Sequence, residues 1–237
     1  MTDNKTKEYL MIIKPIISAA DAAGRIKEGD SLMVGGFMGC GSPHTIILAL
    51  KERGTKNLTL ICNDTAIHDF KTGKITGVGH LIQGRQFKKI IASHIGANQE
   101  AQRQMNAGET EVELVPQGTL AEQVRAGGAG LGGFLTPTGM GTEAAVGKQI
   151  IVVAQKPYLL ELPFKADVAI IKAKKADKFG NLVFNGTARN FNPLMATAAA
   201  LVIAEVEEIV ETGEIDPNDI HTPSIFVDLL VKAVQLD

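Results

Sequence analysis

SLMVGGFMGCGSPHTIILAL, Ser31–Leu50, joins a strand-like apolar run to an apolar helix through a junction carrying four glycines. Leu32–Val34 reads as the end of a buried strand, and Gly35-Gly36-Phe37-Met38-Gly39-Cys40-Gly41 as a tight turn. Ser42 is a favoured helix N-cap and Pro43 suits a first helical position, which predicts a helix from His44 to about Leu50. Glycines let backbone N–H groups approach a ligand, and a helix N-terminus carries partial positive charge. The expected guest is an anion: a phosphate, a carboxylate or a developing oxyanion. The plainer alternative is a βα connection that uses glycine for packing alone.

Outward from this stretch the same β-then-α alternation recurs. A helix beginning at Ser18–Asp21 and running to Lys27 precedes it, and Gly54 is a helix stop after it. Leu58–Cys62 (LTLIC), Lys88–Ser93 (KKIIAS) and Glu111–Val115 (EVELV) read as strands, the first continuous enough for a parallel sheet buried on both faces. Their carboxyl ends carry Asn63, His94 and Gln117. Thr119 with Glu122 three residues on reads as a capping box opening the helix LAEQVRA. The pattern predicts an α/β fold with an open, mostly parallel sheet and flanking helices, whose ligands lie beyond the strands' carboxyl ends.

Gly127–Gly147 holds eight of the 25 glycines and is expected to line a cleft or pack against another chain. Its Gly128-x-Gly130-x-x-Gly133 follows a helix rather than a strand and lacks the context of a dinucleotide site. Short strands follow from Ile150, then Val168–Ala173, a hairpin through Lys178–Asn181 into Leu182–Phe184, and a helix from Asn192-Pro193 through Ala200. Leu201–Val206 is again strand-like, and an ordered segment returns at Ile225–Val234. Residues 1–15 read as a flexible leader and 16–237 as one domain.

A net charge of −2 gives no reason to expect nucleic acid or an anionic membrane. No apolar run approaches the roughly 20 residues of a membrane span. Charges on both sides of a short apolar patch argue against a signal peptide. With only Cys40 and Cys62 there is neither a disulfide framework nor a zinc site, and the five histidines show no metal-ligand spacing. The cytoplasm is the expected compartment. A Gly-x-Ser-x-Gly elbow and a Walker A lysine are both missing. Cys40 and His44 can be drawn as a thiolate–imidazole pair, although a small residue packed in a turn is the simpler role for Cys40. What remains is a pair of neutral amides, Asn63 and Gln117, beside loops rich in backbone N–H. Those are tools for stabilising an oxyanion, offered without an obvious nucleophile.

Gly35–Pro43 (GGFMGCGSP), Leu60–Asp64 (LICND), Val115–Gly130 (VPQGTLAEQVRAGGAG), Phe134–Thr142 (FLTPTGMGT) and Ala188–Pro193 (ARNFNP) together resemble the α half of class I 3-oxoacid CoA-transferases, of the acetate/acetoacetate/butyrate type. The resemblance implies the open α/β fold of that superfamily, with relatives among ribose-5-phosphate isomerase-like folds. It implies ping-pong transfer of CoA, as substrate rather than bound cofactor, between a short-chain acyl-CoA and a free carboxylic acid. The nucleophilic glutamate of the family lies in a Ser-Glu-Asn-Gly-type motif of the β half, and no Glu here precedes Asn-Gly. A β-subunit partner follows, in an α2β2 assembly. By the same resemblance Gln117 helps hold the oxyanion and Asn63 bonds the substrate carbonyl or enolate. Gly35, Gly36, Phe37, Met38, Gly39, Cys40 and Gly41 match the segment assigned to CoA. Asp64 stands where some relatives have Asn. Two rivals are a sugar-phosphate isomerase, which needs acidic groups and a lysine near the glycine loops, and a non-catalytic anion-binding module.

Overall fold

A computed structural model describes residues 13–234. In chain order it contains β1 (Ile16–Ile17), α1 (Ala19–Arg25), β2 (Ser31–Val34), α2 (His44–Arg53), β3 (Leu58–Cys62), α3 (Gly79–Gln83), β4 (Phe87–Ala92), α4 (Gln99–Asn106), β5 (Glu111–Leu114) and α5 (Gln117–Gly128). There follow β6 (Phe134–Thr136), β7 (Ile150–Val153), β8 (Lys156–Glu161), β9 (Ala166–Asp177), β10 (Leu182–Val183), α6 (Asn192–Thr197), β11 (Ala199–Val210) and β12 (Leu229–Lys232).

The main sheet runs β1-β12-β11-β9-β2-β3-β4-β5 in parallel, with β10 folded back antiparallel onto β9. The expected open, mostly parallel sheet is therefore present. Strand alternation explains its two cores. Leu32, Val34, Leu60, Cys62, Ile90 and Ile170 face α1–α4, whereas Met33, Ile61, Ile91 and Ile171 face α5 and α6. Each central strand is buried on both faces, so LTLIC carries no polar alternation.

The chain leaves β2 towards β3, β4 and β5, then returns to β2's other side with β9 and continues to β11 and β12. The direction of winding reverses at β2. The turn after β2 thus opens onto the crevice where an open α/β sheet places its ligands.

Several local expectations give way to longer-range pairing. Helix α6 ends at Thr197 rather than Ala200, because Ala199 already pairs with Ala166. Strand β9 extends well past Ala173, and its KAKKAD faces EVEEIV of β11 in register, with Lys172 opposite Glu205 and Lys175 opposite Glu208. Lys175–Glu208 is an exposed pair that contributes only about 0–1 kcal/mol and specifies register more than stability, whereas Lys172–Glu205 is buried. The glycine-rich stretch contains a strand, β6, which joins β8 and β7 in a small antiparallel sheet. Residues 1–12 of the expected leader lie outside the described residues. Its described end is tied down, since the Lys14 N–H donates to Lys178 O (2.8 Å) and Pro15 O accepts from Leu230 N–H (3.0 Å).

Candidate functional site

The turn after β2 is a two-residue reversal. Phe37 and Cys40 exchange N–H···O bonds of 2.9 and 2.8 Å around Met38 (φ 50°) and Gly39 (φ 91°). Positive φ at both central residues is a type I′ geometry, which Gly39 adopts freely and Met38 only at some cost. That cost is offset by a partner: the Met38 N–H donates to the Asp64 carboxylate at 3.0 and 3.2 Å.

The back of the turn is clamped by the Ala188–Pro193 segment. A Cβ on Gly35 would lie 1.8 Å from Asn192 Oδ1, so no other residue fits there. Fully buried Asn192 donates to Gly41 O (3.0 Å) and Ala188 O (2.8 Å) and accepts from the Lys172 N–H (3.0 Å). Gly35 and Gly36 are buried, while Phe37 and Cys40 form an exposed rim.

The expected Ser42 cap is not made. Helix α2 starts at His44 after Pro43, and Ser42 is buried against Gly36, whose Cβ position is 2.3 Å from Ser42 Oγ. The helix's anion comes from far along the chain. Glu205 Oε2, in β11, accepts from the Ile46 N–H at 3.0 Å, and Glu205 Oε1 pairs with Lys172 Nζ at 3.1 Å. Glu205 is 1% exposed. Behind the turn is a cavity of about 180 Å³, lined by His44, Lys172, Lys174 and Glu207 among others. Its lysines are closed into ion pairs with Glu205 and Glu207. Burial, above all, holds the His44 imidazole below its ordinary pKa.

In front of the turn the structure brings the two sequence-picked amides together. Asn63 follows β3 and Gln117 follows β5, with β4 between them, so their backbones stand about 10 Å apart at ordinary strand spacing. Gln117 Nε2 reaches over the end of β4 and donates to Asn63 Oδ1 at 2.7 Å. Asn63 Nδ2 donates in turn to Asp64 Oδ2 at 2.6 Å. Asp64 also accepts from the Ala66 N–H at 2.7 Å. Gln117, Asn63, Asp64 and Met38 therefore form one hydrogen-bonded chain from α5 to the glycine turn. His94 joins only through its backbone, its carbonyl accepting from the Thr65 N–H at 3.2 Å.

The expected Thr119–Glu122 capping box is also replaced. Helix α5 begins three residues earlier, at Gln117 behind Pro116, without a side-chain cap. Glu122 bonds Arg125 instead (2.9 Å) and Thr119 is buried. Proline's fixed φ and the helical Gln117 start the helix at the strand's end. This puts Gln117 beside first-turn N–H groups that have no partner within the helix. Asn63 is 1% exposed and Gln117 is open to solvent. Each amide keeps one N–H beyond the chain just described. Neutral donors converging at an open helix N-terminus can stabilise negative charge on an oxygen.

The cluster's carboxylate, Asp64, is buried and engaged by three donors, and no thiol or hydroxyl nucleophile joins it among the described residues. Cys40 Sγ lies 3.6 Å from Thr187 Oγ1, a contact that does not involve His44. Burial first, and Asp64 second, push the Cys62 thiol well up. Among the described residues no group of three or more His, Cys, Asp or Glu side chains could hold a metal ion, and no helix is long and apolar enough to cross a membrane. Sequence reading missed the Asp64–Met38 link, the Asn192 clamp and the Glu205 cap. Only the first had a local signal, an acid directly after Asn63.

Residues 16–233 match the coenzyme A transferase family, so the chain belongs to it and is a CoA-transferase. It is 50% identical over 216 residues to the alpha chain of the acetate CoA-transferase of Escherichia coli K12, covering 91% of this chain and 96% of that one. It is also 50% identical over 218 residues to one subunit of a probable succinyl-CoA:3-ketoacid coenzyme A transferase of Bacillus subtilis 168, covering 92% and 89%. In fold it resembles the crystal structure of the acyl-CoA transferase YdiF of Escherichia coli O157:H7, a thioester complex with CoA, at a TM-score of 0.82 and 21% identity. That match takes in 93% of this chain but 47% of the YdiF chain, about half its length.

Proposed function

We propose that this chain is the α half of a two-subunit enzyme that moves CoA between a short-chain acyl-CoA and a free carboxylic acid. The observation that carries the reading is the Gln117–Asn63 amide pair at the open N-terminus of α5, whose one neighbouring carboxylate, Asp64, is buried and fully engaged. In the ping-pong route, a glutamate carboxylate of the β half attacks the thioester carbonyl and CoA thiolate leaves, giving an acyl–glutamyl anhydride. The thiolate then attacks the glutamyl carbonyl and expels the first carboxylate, leaving a glutamyl-CoA thioester. The second acid runs the same steps in reverse. Each step passes through a tetrahedral oxyanion. Gln117 donates to it, and Asn63 bonds the substrate carbonyl or enolate.

With Gly35 and Gly36 packed from behind, Phe37–Cys40 is the part of the turn left to meet the acyl group or CoA, which is a substrate and not a resident cofactor. Acetate, acetoacetate and butyrate are the acids the reading favours, and the relatives' names, which mention acetate and a 3-ketoacid, support that range. Both relatives are also named as single subunits of larger enzymes, which supports a partner subunit; the α2β2 assembly and the cytoplasmic location belong to this reading and follow from the resemblance.

The apolar residues of β7, Ile150, Val152 and Val153, are 54%, 67% and 46% exposed on a sheet edge that is unpaired among the described residues. Such a patch suits burial against that partner. Acetyl-CoA plus butyrate exchange, assayed with this chain alone and then with its β partner, tests the reading. Exchange only in the mixture is the expected result, and exchange by the chain alone would refute it. Val152→Glu should weaken co-purification of the two subunits and leave the isolated chain's melting temperature unchanged. Undiminished co-purification would remove β7 from the interface.

A further inference from the structure

Asp64 is 7% exposed, and every group facing its carboxylate is a donor: Asn63 Nδ2, the Met38 N–H and the Ala66 N–H. An ionised carboxylate only accepts, whereas an asparagine amide has one accepting end and one donating end. The end that Asn63 turns to Asp64 must therefore be its NH2. Asn63 Oδ1 is then left towards Gln117, and Gln117 must meet it with Nε2, as it does at 2.7 Å. The sense of both amides is set from Asp64.

We propose that Asp64 is a positioning residue for CoA transfer: it fixes the direction of the chain Gln117→Asn63→Asp64 and so determines which end of the Gln117 amide faces the reacting oxygen. This rests on the reading of Gln117 as the oxyanion donor.

An asparagine at position 64 has nearly the same shape but one accepting end. Ala66 and Met38 both donate to Oδ1, at 2.7 and 3.2 Å, and would keep that end, although Met38 would give up its 3.0 Å bond to Oδ2. The new NH2 would then face the Asn63 NH2, donor against donor in a buried place. The least costly relief is to turn over Asn63 and then Gln117, because two reversed amides restore both bonds of the chain while an unmet buried donor does not. Reversal exchanges the N–H and C=O ends of Gln117 and brings a lone pair towards the negative charge that develops in the reaction.

The test is kcat and KM of D64N, Q117A and the double variant in the assembled enzyme. D64N should lower kcat by roughly 10- to 100-fold, the scale of a misplaced donor, with KM close to wild type. The double variant should match Q117A alone, since without the amide Asp64 has nothing to orient. Fully additive losses would overturn the proposal, as would wild-type kcat in D64N beside an impaired Q117A. Wild-type turnover in Q117A would sink the parent reading instead, and NMR of the isolated ¹⁵N-labelled chain separates the two. D64N must shift the Gln117 side-chain amide resonances, and unchanged resonances would overturn the orientation claim. If D64N fails to fold, Asn63→Ala serves the same measurement. It interrupts the chain but keeps the Asp64 bonds to Met38 and Ala66, and the Gln117 resonances should move to those of a solvated amide. Their staying in place would contradict the proposal.

Discussion

Of the helices that begin at the carboxyl end of the sheet, α2 and α5 have N-termini with opposite fates. The N-terminus of α2, behind the glycine turn, receives the buried carboxylate of Glu205, which Lys172 neutralises in turn. That of α5 has no side-chain cap and presents Gln117 at its first position, bonded sideways to Asn63 and open to solvent. The glycine-dense stretch looks the better anion site in sequence, yet its helix already holds a carboxylate of the protein's own. A ligand-seeking helix end is defined by what the rest of the chain leaves unpaired as much as by its own residues.

Substitutions at the two ends should have opposite consequences. Gln117→Ala should cost the assembled enzyme about two to three powers of ten in turnover, the usual loss for an oxyanion donor. Its melting temperature should barely change, because the side chain is exposed; steady-state rates and a thermal scan on the same sample check both. Glu205→Gln keeps an acceptor for the Ile46 N–H but removes the buried countercharge of Lys172. It should cost about 3 kcal/mol of stability, read by urea unfolding.

A smaller effect extends the contrast to the sheet's other end. There Glu100, Arg103 and Glu109 form a closed network with bonds of 2.8–2.9 Å. The Arg103 guanidinium above all holds the Glu100 carboxyl down at about 2. A depressed carboxyl stabilises the fold above its unfolded pKa, near the ordinary 4.5, and that contribution disappears as pH falls from there towards 2. Discounted for the partly exposed arginine, it is about 1–2 kcal/mol. Wild type should therefore exceed Glu100→Gln in stability at pH 7 and lose that margin in acid. A margin independent of pH would show that the network contributes by packing.

The central sheet was legible because parallel strands buried on both faces need continuous apolar runs, of which LTLIC is one, and because the β-then-α alternation recurs along the chain. The β6–β8 pairing was not: Phe134–Thr136 is three residues long, and its partner lies beyond a glycine-rich loop. Asn63 and Gln117 could be picked individually, since polar residues at strand ends face the crevice. Their contact could not, because it depends on β4 lying between them and on α5 starting at Gln117 rather than after Thr119. Glu205 left no local trace at all, capping a helix 159 residues away.

The decisive experiment sets the two helix ends against each other by measuring turnover and melting temperature together for Gln117→Ala and Glu205→Gln in the assembled enzyme. The first is expected to lose turnover and keep its melting temperature, while the second loses melting temperature and keeps turnover close to wild type. The reverse pattern, with catalysis failing at Glu205 and intact at Gln117, would contradict the assignment of the two ends.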